Sequence, residues 1–384
     1  MKVKSSFGAS YTEYEVGDIV MLAKDKPLKL LNGASIENFP LAYQTYGKLN
    51  KDKSNAILIC HALTGDQYVA SKNPVTNKEG WWSSMVGANK PIDTNKFFVI
   101  CSNVIGGCMG SFGPKSIDVK TNKPYGISFP FITIHDMVNA QNLLIQELGI
   151  DKLHAVIGGS AGGMQVLSWA LLYPHKINIA IPIATSYRHS PQNIAFHEVG
   201  RQAIMADSNF CSGDYIIHKK FPSKGLAVAR MTAHITYLSE KSLQKKFGRN
   251  LQDKESLSFH FQPDFQVESY LHHQGYSFVE RFDPNSYLYI TKAVDYFDLE
   301  ADGGSRLANV FGKSEVNKNL KFYVISFSDD WLFPVSESRK LVSTLNSCNI
   351  NVSSIEIESG AGHDSFLIGN NVLENAIIGA ISYL

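Results

Sequence analysis

The chain carries a serine, two aspartates and a histidine in contexts that suit acyl-transfer chemistry. Ser160 sits between Gly158 and Gly162 in GGSAGG, directly after the apolar run LHAVI (153–157) and directly before an amphipathic, helix-like stretch. That is a G-x-S-x-G pattern in strand-to-helix context, where small neighbours allow a strained turn to present a serine hydroxyl. The plain alternative is a tight turn in which the serine only caps the helix. A serine nucleophile needs a base, and the base needs an acid to hold its tautomer. In this strand-turn-helix setting the acid and then the histidine are expected later in the chain. Asp329 and Asp330 follow the apolar run KFYVISF, and His363 lies in a loop after the next one. Of twelve histidines, His363 alone falls after residue 315. Adjacent aspartates point in different directions, so sequence alone leaves Asp329 and Asp330 open. An oxyanion hole needs two backbone N–H groups. Ala161, after the serine, and Leu63, in the CHALTGD junction after the run AILIC, are the candidates. His61 beside that junction is a poorer base than His363, because choosing it would leave His363 without a role.

Other motifs compete less well. IGGCMGSFGP (105–114) has neither the dinucleotide nor the phosphate-loop spacing and is expected to shape the wall of the site entrance. His197 and Glu198 begin an H-E-x-x-H, but residue 201 is Arg201, so the zinc reading fails. Cys60 beside His61 reads as a packed core thiol. Lys245, Lys246 and Arg249 could meet coenzyme A phosphates, though a charge cluster at a helix end is usually a solvated face.

Elements must position these groups. Buried strands are expected at 56–60, 97–101, 153–157, 179–184, 321–327 and 353–358. Helices are expected at 133–149, opened by Thr133 with Asp136 three residues on, and at 224–248 and 285–297. Strands alternating with helices imply an α/β class with a mostly parallel sheet flanked by helices. The alternation stops near residue 186 and resumes near 315, which predicts a core of 1–186 plus 315–384 and a helical lid inserted at 187–314.

Bulk composition narrows the class. At 384 residues the chain exceeds one compact core. Lys and Arg number 36 against 35 Asp and Glu, a formal charge of +1, which offers no nucleic-acid or anionic-membrane footprint. Five scattered cysteines, no leader-like start and no long apolar run point to reduced thiols in a soluble, cytoplasmic protein.

The series LAYQTYGKLN, CHALTGD, NVIGGCMGSFGPKSI, GGSAGGMQ, AFHEVGRQAI, GLAVARMTAHITYLS, FQVESYL, SDDWLFP and GHDSF spans nearly the whole chain. In that order it resembles the homoserine O-acyltransferase family of the α/β-hydrolase superfamily, in its O-acetyltransferase branch. The resemblance implies Ser160, Asp330 and His363 as the triad, so it selects Asp330. It also implies Arg230, Tyr237 and Asp364 as the homoserine contacts. Arg230 and Tyr237 are seven residues apart, hence on one helical face, and a guanidinium suits a carboxylate. Where succinyl-transferring relatives resemble DWRF, this chain has Leu332, which implies acetyl transfer. Ala161 replaces the family's usual methionine; it keeps the backbone donor but alters the pocket above the serine. The implied reaction is ping-pong transfer from acetyl-CoA, a co-substrate, to L-homoserine in methionine biosynthesis, without metal or further cofactor, in a homodimer joined through the lid. The alternatives are a homoserine O-succinyltransferase, a serine O-acetyltransferase, a carboxylesterase or a non-catalytic binding protein.

Overall fold

The computed structural model describes residues 2–8, 12–312 and 319–382. Its main sheet has nine strands among the described residues: β1 (Lys2–Phe7), β2 (Thr12–Leu22), β3 (Phe39–Tyr46), β4 (Ala56–Cys60), β5 (Phe98–Ser102), β6 (Leu153–Gly159), β7 (Ile177–Ile183), β8 (Lys321–Phe327) and β9 (Asn351–Ile357). Their spatial order is β1-β2-β3-β5-β4-β6-β7-β8-β9. From β5 to β9 all pairings are parallel, and β1, β2 and β3 join antiparallel at one edge. β4 and β6 are buried along their whole lengths, as strands covered on both faces must be.

All six strands expected from sequence are present, with ends shifted by a few residues. The antiparallel edge was not expected. β2 and β3 mix buried with partly exposed positions and contain Gly17 and Pro40, so their apolar signal is diluted.

Helices α1 (Ile134–Glu147) and α2 (Ala161–Leu172) cover the sheet, and Thr133 and Asp136 close the expected capping box on α1. Between β7 and β8 the described chain runs through α3 (Pro191–Ala206), α4 (Ser223–Tyr237), α5 (Glu240–Lys246), α6 (Gln266–Val279), α7 (Pro284–Asp295), α8 (Leu299–Asp302) and α9 (Leu307–Phe311). The sequence boundary at 314–315 and the chain limits 1 and 384 lie outside the described residues. After β8 and β9 come α10 (Val335–Ser347) and α11 (Asn371–Ile381).

The stretch 224–248 is two helices rather than one. Leu238 is extended, and Ser239 caps α5 by accepting from the Ser242 N–H at 3.1 Å. Gly362, at φ +76°, presses against the backbone of Tyr237, Leu238 and Ser239, so the loop carrying His363 wedges in where the helix stops.

Candidate active site

Ser160 stands between β6 and α2 with φ 58° and ψ −125°, a left-handed conformation that costs a non-glycine residue on the order of 1–3 kcal/mol. The fold holds it there. Its N–H donates to the Ile183 carbonyl at 2.9 Å, and its carbonyl accepts from the Thr185 hydroxyl at 2.8 Å. The neighbouring glycines are steric necessities: a Cβ on Gly162 would drive into the Cys60 carbonyl, and one on Gly158 into the Gly162 carbonyl.

His363 and Asp330 meet as expected. The imidazole Nδ1–H donates to Asp330 Oδ2 at 2.7 Å, with both side chains buried. Asp330 Oδ1 accepts from the N–H groups of Leu332 and Phe333 at 3.0 and 2.9 Å, which leaves the carboxylate one orientation. Asp329 does different work. It accepts from the Gly362 N–H at 2.7 Å and the Ser359 hydroxyl at 3.1 Å, and so fastens the loop that carries His363. Burial disfavours a proton on His363, but the Asp330 and Asp364 carboxylates outweigh it and raise the imidazole above the ordinary histidine range.

A chamber of about 40 Å³ is bounded by Ser160, Ala161, Leu63, Tyr237, Leu332 and Phe333, among others. Both proposed oxyanion donors and Leu332 therefore share one space with the serine. The junction bearing Leu63 is braced by His61, whose Nδ1–H donates to the Ala62 carbonyl at 2.8 Å and whose Nε2 accepts from the Val104 N–H at 3.1 Å. Burial lowers its proton affinity. With both nitrogens occupied, His61 is a structural ring.

Arg230 and Tyr237 lie on one face of α4, with the guanidinium 5.5 Å from the Tyr237 ring centre. The Tyr237 ring in turn lies 6.0 Å from that of His363. Burial raises the Asp364 carboxyl, against the opposing pull of His363 and Arg230. Arg230 therefore reaches the serine chamber through Tyr237, which lines it, and Asp364 lies beside His363.

Two groups escaped sequence reading. Asp295 Oδ1 accepts from Nδ1 of both His189 (3.0 Å) and His197 (2.7 Å), and Arg201 pairs with Oδ2 at 2.7 Å. Burial depresses His189 to about 4. His189, His197 and Asp295 are close enough together to hold a cation, but each ring nitrogen points its N–H at the carboxylate and Arg201 already balances it. These residues come from segments about a hundred positions apart; the broken H-E-x-x-R was their only local trace. The second group is Arg281, treated below. The glycine-rich stretch 105–114 does not wall the entrance: it is almost entirely buried and borders neither the serine chamber nor the larger cavity beside Arg230. Lys246 and Arg249 lie over the Tyr270 and Phe265 rings, at 4.6 and 5.1 Å. Burial pushes the Cys60 thiol up, as for a core thiol. All five cysteines are free, and no described helix is long and apolar enough to cross a membrane.

Comparison with known proteins gives the family. The family model for the alpha/beta hydrolase fold matches residues 55–369. A homoserine O-acetyltransferase of Mesorhizobium japonicum is 59% identical over 363 residues, covering 94% of this chain and 92% of that one. One from Caulobacter vibrioides is 58% identical over 358 residues, covering 93% of each. Among solved structures, homoserine O-acetyltransferase from Bacillus anthracis superposes with TM-score 0.85 at 29% identity, covering 95% of this chain and 97% of that one. Esterase E22 superposes equally well, with TM-score 0.85 at 27% identity and coverage of 95% and 99%. The chain belongs to the homoserine O-acetyltransferase family of acyltransferases, built on the α/β-hydrolase fold.

Proposed function

We propose that the protein transfers an acetyl group from acetyl-CoA to the hydroxyl of L-homoserine by a ping-pong route, in the methionine pathway and in the cytoplasm. His363 takes the Ser160 proton, Ser160 attacks the thioester carbonyl, and the oxyanion rests on the N–H groups of Leu63 and Ala161. The thiolate of coenzyme A leaves with the proton from His363. Homoserine then binds with its carboxylate at Arg230, beside Tyr237, and its ammonium at Asp364. His363 takes the proton of its hydroxyl, whose oxygen attacks the acyl carbonyl, and returns that proton to the Ser160 oxygen as it leaves. Metal and further cofactor have no part in these steps. Residues 187–314 act as the lid, and the exposed Val199, Met205, Val228 and Ile235 on α3 and α4 support a homodimer joined there.

The observation that carries this reading is the buried Asp330–His363 pair, whose imidazole lies against Tyr237 and Phe333 of the serine chamber. An esterase would share the first half of the chemistry, and the likeness to esterase E22 makes that the second reading. Release of free coenzyme A from acetyl-CoA, followed with and without L-homoserine, separates them. A sharp rise with homoserine, and a smaller one with L-serine, is expected. A rate indifferent to both acceptors would favour hydrolysis.

A further inference from the structure

Arg230 and Arg281 share the Phe278 ring, their guanidinium carbons 4.7 and 5.1 Å from its centre. Arg230 donates to the Thr64 hydroxyl at 3.1 Å and Arg281 to the Thr64 carbonyl at 3.0 Å. Among the described residues neither is paired with a carboxylate. Asp66 and Asp364 act on Arg281 and Arg230 through their charge alone, and Asp66 accepts from the Tyr68 N–H at 2.9 Å and Asn73 Nδ2 at 2.8 Å. Burial and the neighbouring Arg230 charge both lower the proton affinity of Arg281. Two guanidinium groups stacked on one ring repel each other, and an anion between them would relieve that. A cavity of about 310 Å³ opens beside them, with Lys78 and Trp81 also on its wall. Glu79 and Asp66 line it as well, so three cations stand against two acids around the cavity.

The cavity adjoins the serine chamber. Thr64 borders the first and Leu63 the second, and Arg230 of the first stacks on Tyr237 of the second. A thioester whose carbonyl sits at Ser160 must lead its long tail out of a 40 Å³ chamber, and this is the adjoining basic space. Trp81 offers a flat indole there, fixed by its Nε1–H on the Asp66 carbonyl at 2.9 Å and backed by the Trp82 ring at 5.7 Å and 15°.

We propose that this cavity binds the phosphate-bearing nucleotide part of the thioester donor, with Arg281 and Lys78 meeting phosphate and Trp81 facing the base. The inference rests on the acyl-transfer reading above. Because donor and acceptor bind in turn, departure of the nucleotide would leave Arg230 free for the carboxylate of the acceptor.

The test compares acetyl-CoA with S-acetylpantetheine, which has the same reacting end and no phosphate. kcat/KM for each is measured at fixed homoserine for the wild type, Lys78→Gln, Lys78→Arg and Arg281→Gln. The wild type should prefer acetyl-CoA by about 100-fold. Lys78→Gln should cut that preference about tenfold, the loss of one charge-assisted contact; Lys78→Arg should restore it, and Arg281→Gln should cut it further. An unchanged preference in Lys78→Gln, or equal losses on both thioesters in Arg281→Gln, would overturn the site and reduce Arg281 to a brace for Thr64. Transfer from neither thioester in the wild type would sink the transferase reading itself, and the site with it.

Discussion

Replacing each of the two adjacent aspartates by asparagine should have very different consequences. In Asp330→Asn the backbone N–H groups of Leu332 and Phe333, which now meet Oδ1 at 3.0 and 2.9 Å, demand an acceptor. The amide oxygen must take that place, so its NH₂ faces His363 Nδ1, where Oδ2 now accepts at 2.7 Å. An NH₂ there makes Nδ1 the acceptor and moves the ring proton to Nε2. The imidazole then has no lone pair for the Ser160 proton. The comparable change in a serine protease costs roughly 10⁴ in kcat, about 5.5 kcal/mol of barrier. Asp329→Asn has an easier choice. Its oxygen can keep the Gly362 N–H, and its NH₂ can donate to the Ser359 hydroxyl, which can accept as well as donate. Exchanging charged for neutral hydrogen bonds there costs about 1 kcal/mol, less than tenfold in rate. Single-turnover release of coenzyme A from acetyl-CoA measures the affected step, with circular dichroism to verify folding. Equal losses in two folded variants, or a larger loss in Asp329→Asn, would refute this assignment.

Because Asp330 and Asp364 raise His363 against its burial, the acid limb of the pH profile for coenzyme A release should lie above the ordinary histidine value of about 6.5. The base must be neutral to act, so the rate should fall as pH drops through the raised value; a limb below 6 would contradict the electrostatics described. Leu332 lines the serine chamber, and a succinyl carboxylate beside it would lose water without gaining a partner. Acetyl-CoA should therefore exceed succinyl-CoA in kcat/KM by about 10²-fold, equivalent to about 2.8 kcal/mol. Leu332→Arg should narrow or reverse that ratio; a wild-type preference for succinyl would overturn it, and a rise with propionyl-CoA alone would implicate Ala161.

What could be read from sequence follows from burial. Strands such as AILIC are apolar throughout because both faces are covered, and Ser160, flanked by glycines, follows one of them. The antiparallel strands β2 and β3 are partly exposed, so their residues carry no unbroken apolar signal. Asp329 and Asp330 differ only in where their carboxylates point, which periodicity cannot express; the family resemblance selected Asp330, and the contact with His363 supplies the physical reason. The break after Tyr237 comes from a distant loop pressing in at Gly362, and its one local mark is Ser239, the cap of α5. His189 and His197 owe their shared carboxylate to α7, and Arg281 owes its neighbour Arg230 to the packing of α6 on α4.

The covalent intermediate is the most direct test of the account. The protein is mixed with acetyl-CoA in the absence of any acceptor, quenched in acid and digested, and its peptides are mapped by mass spectrometry. The account predicts one acetyl group on Ser160, absent from Ser160→Ala and discharged when L-homoserine is added before the quench. An acetyl group lodged on another residue, or turnover by Ser160→Ala at a rate near that of the wild type, would contradict it.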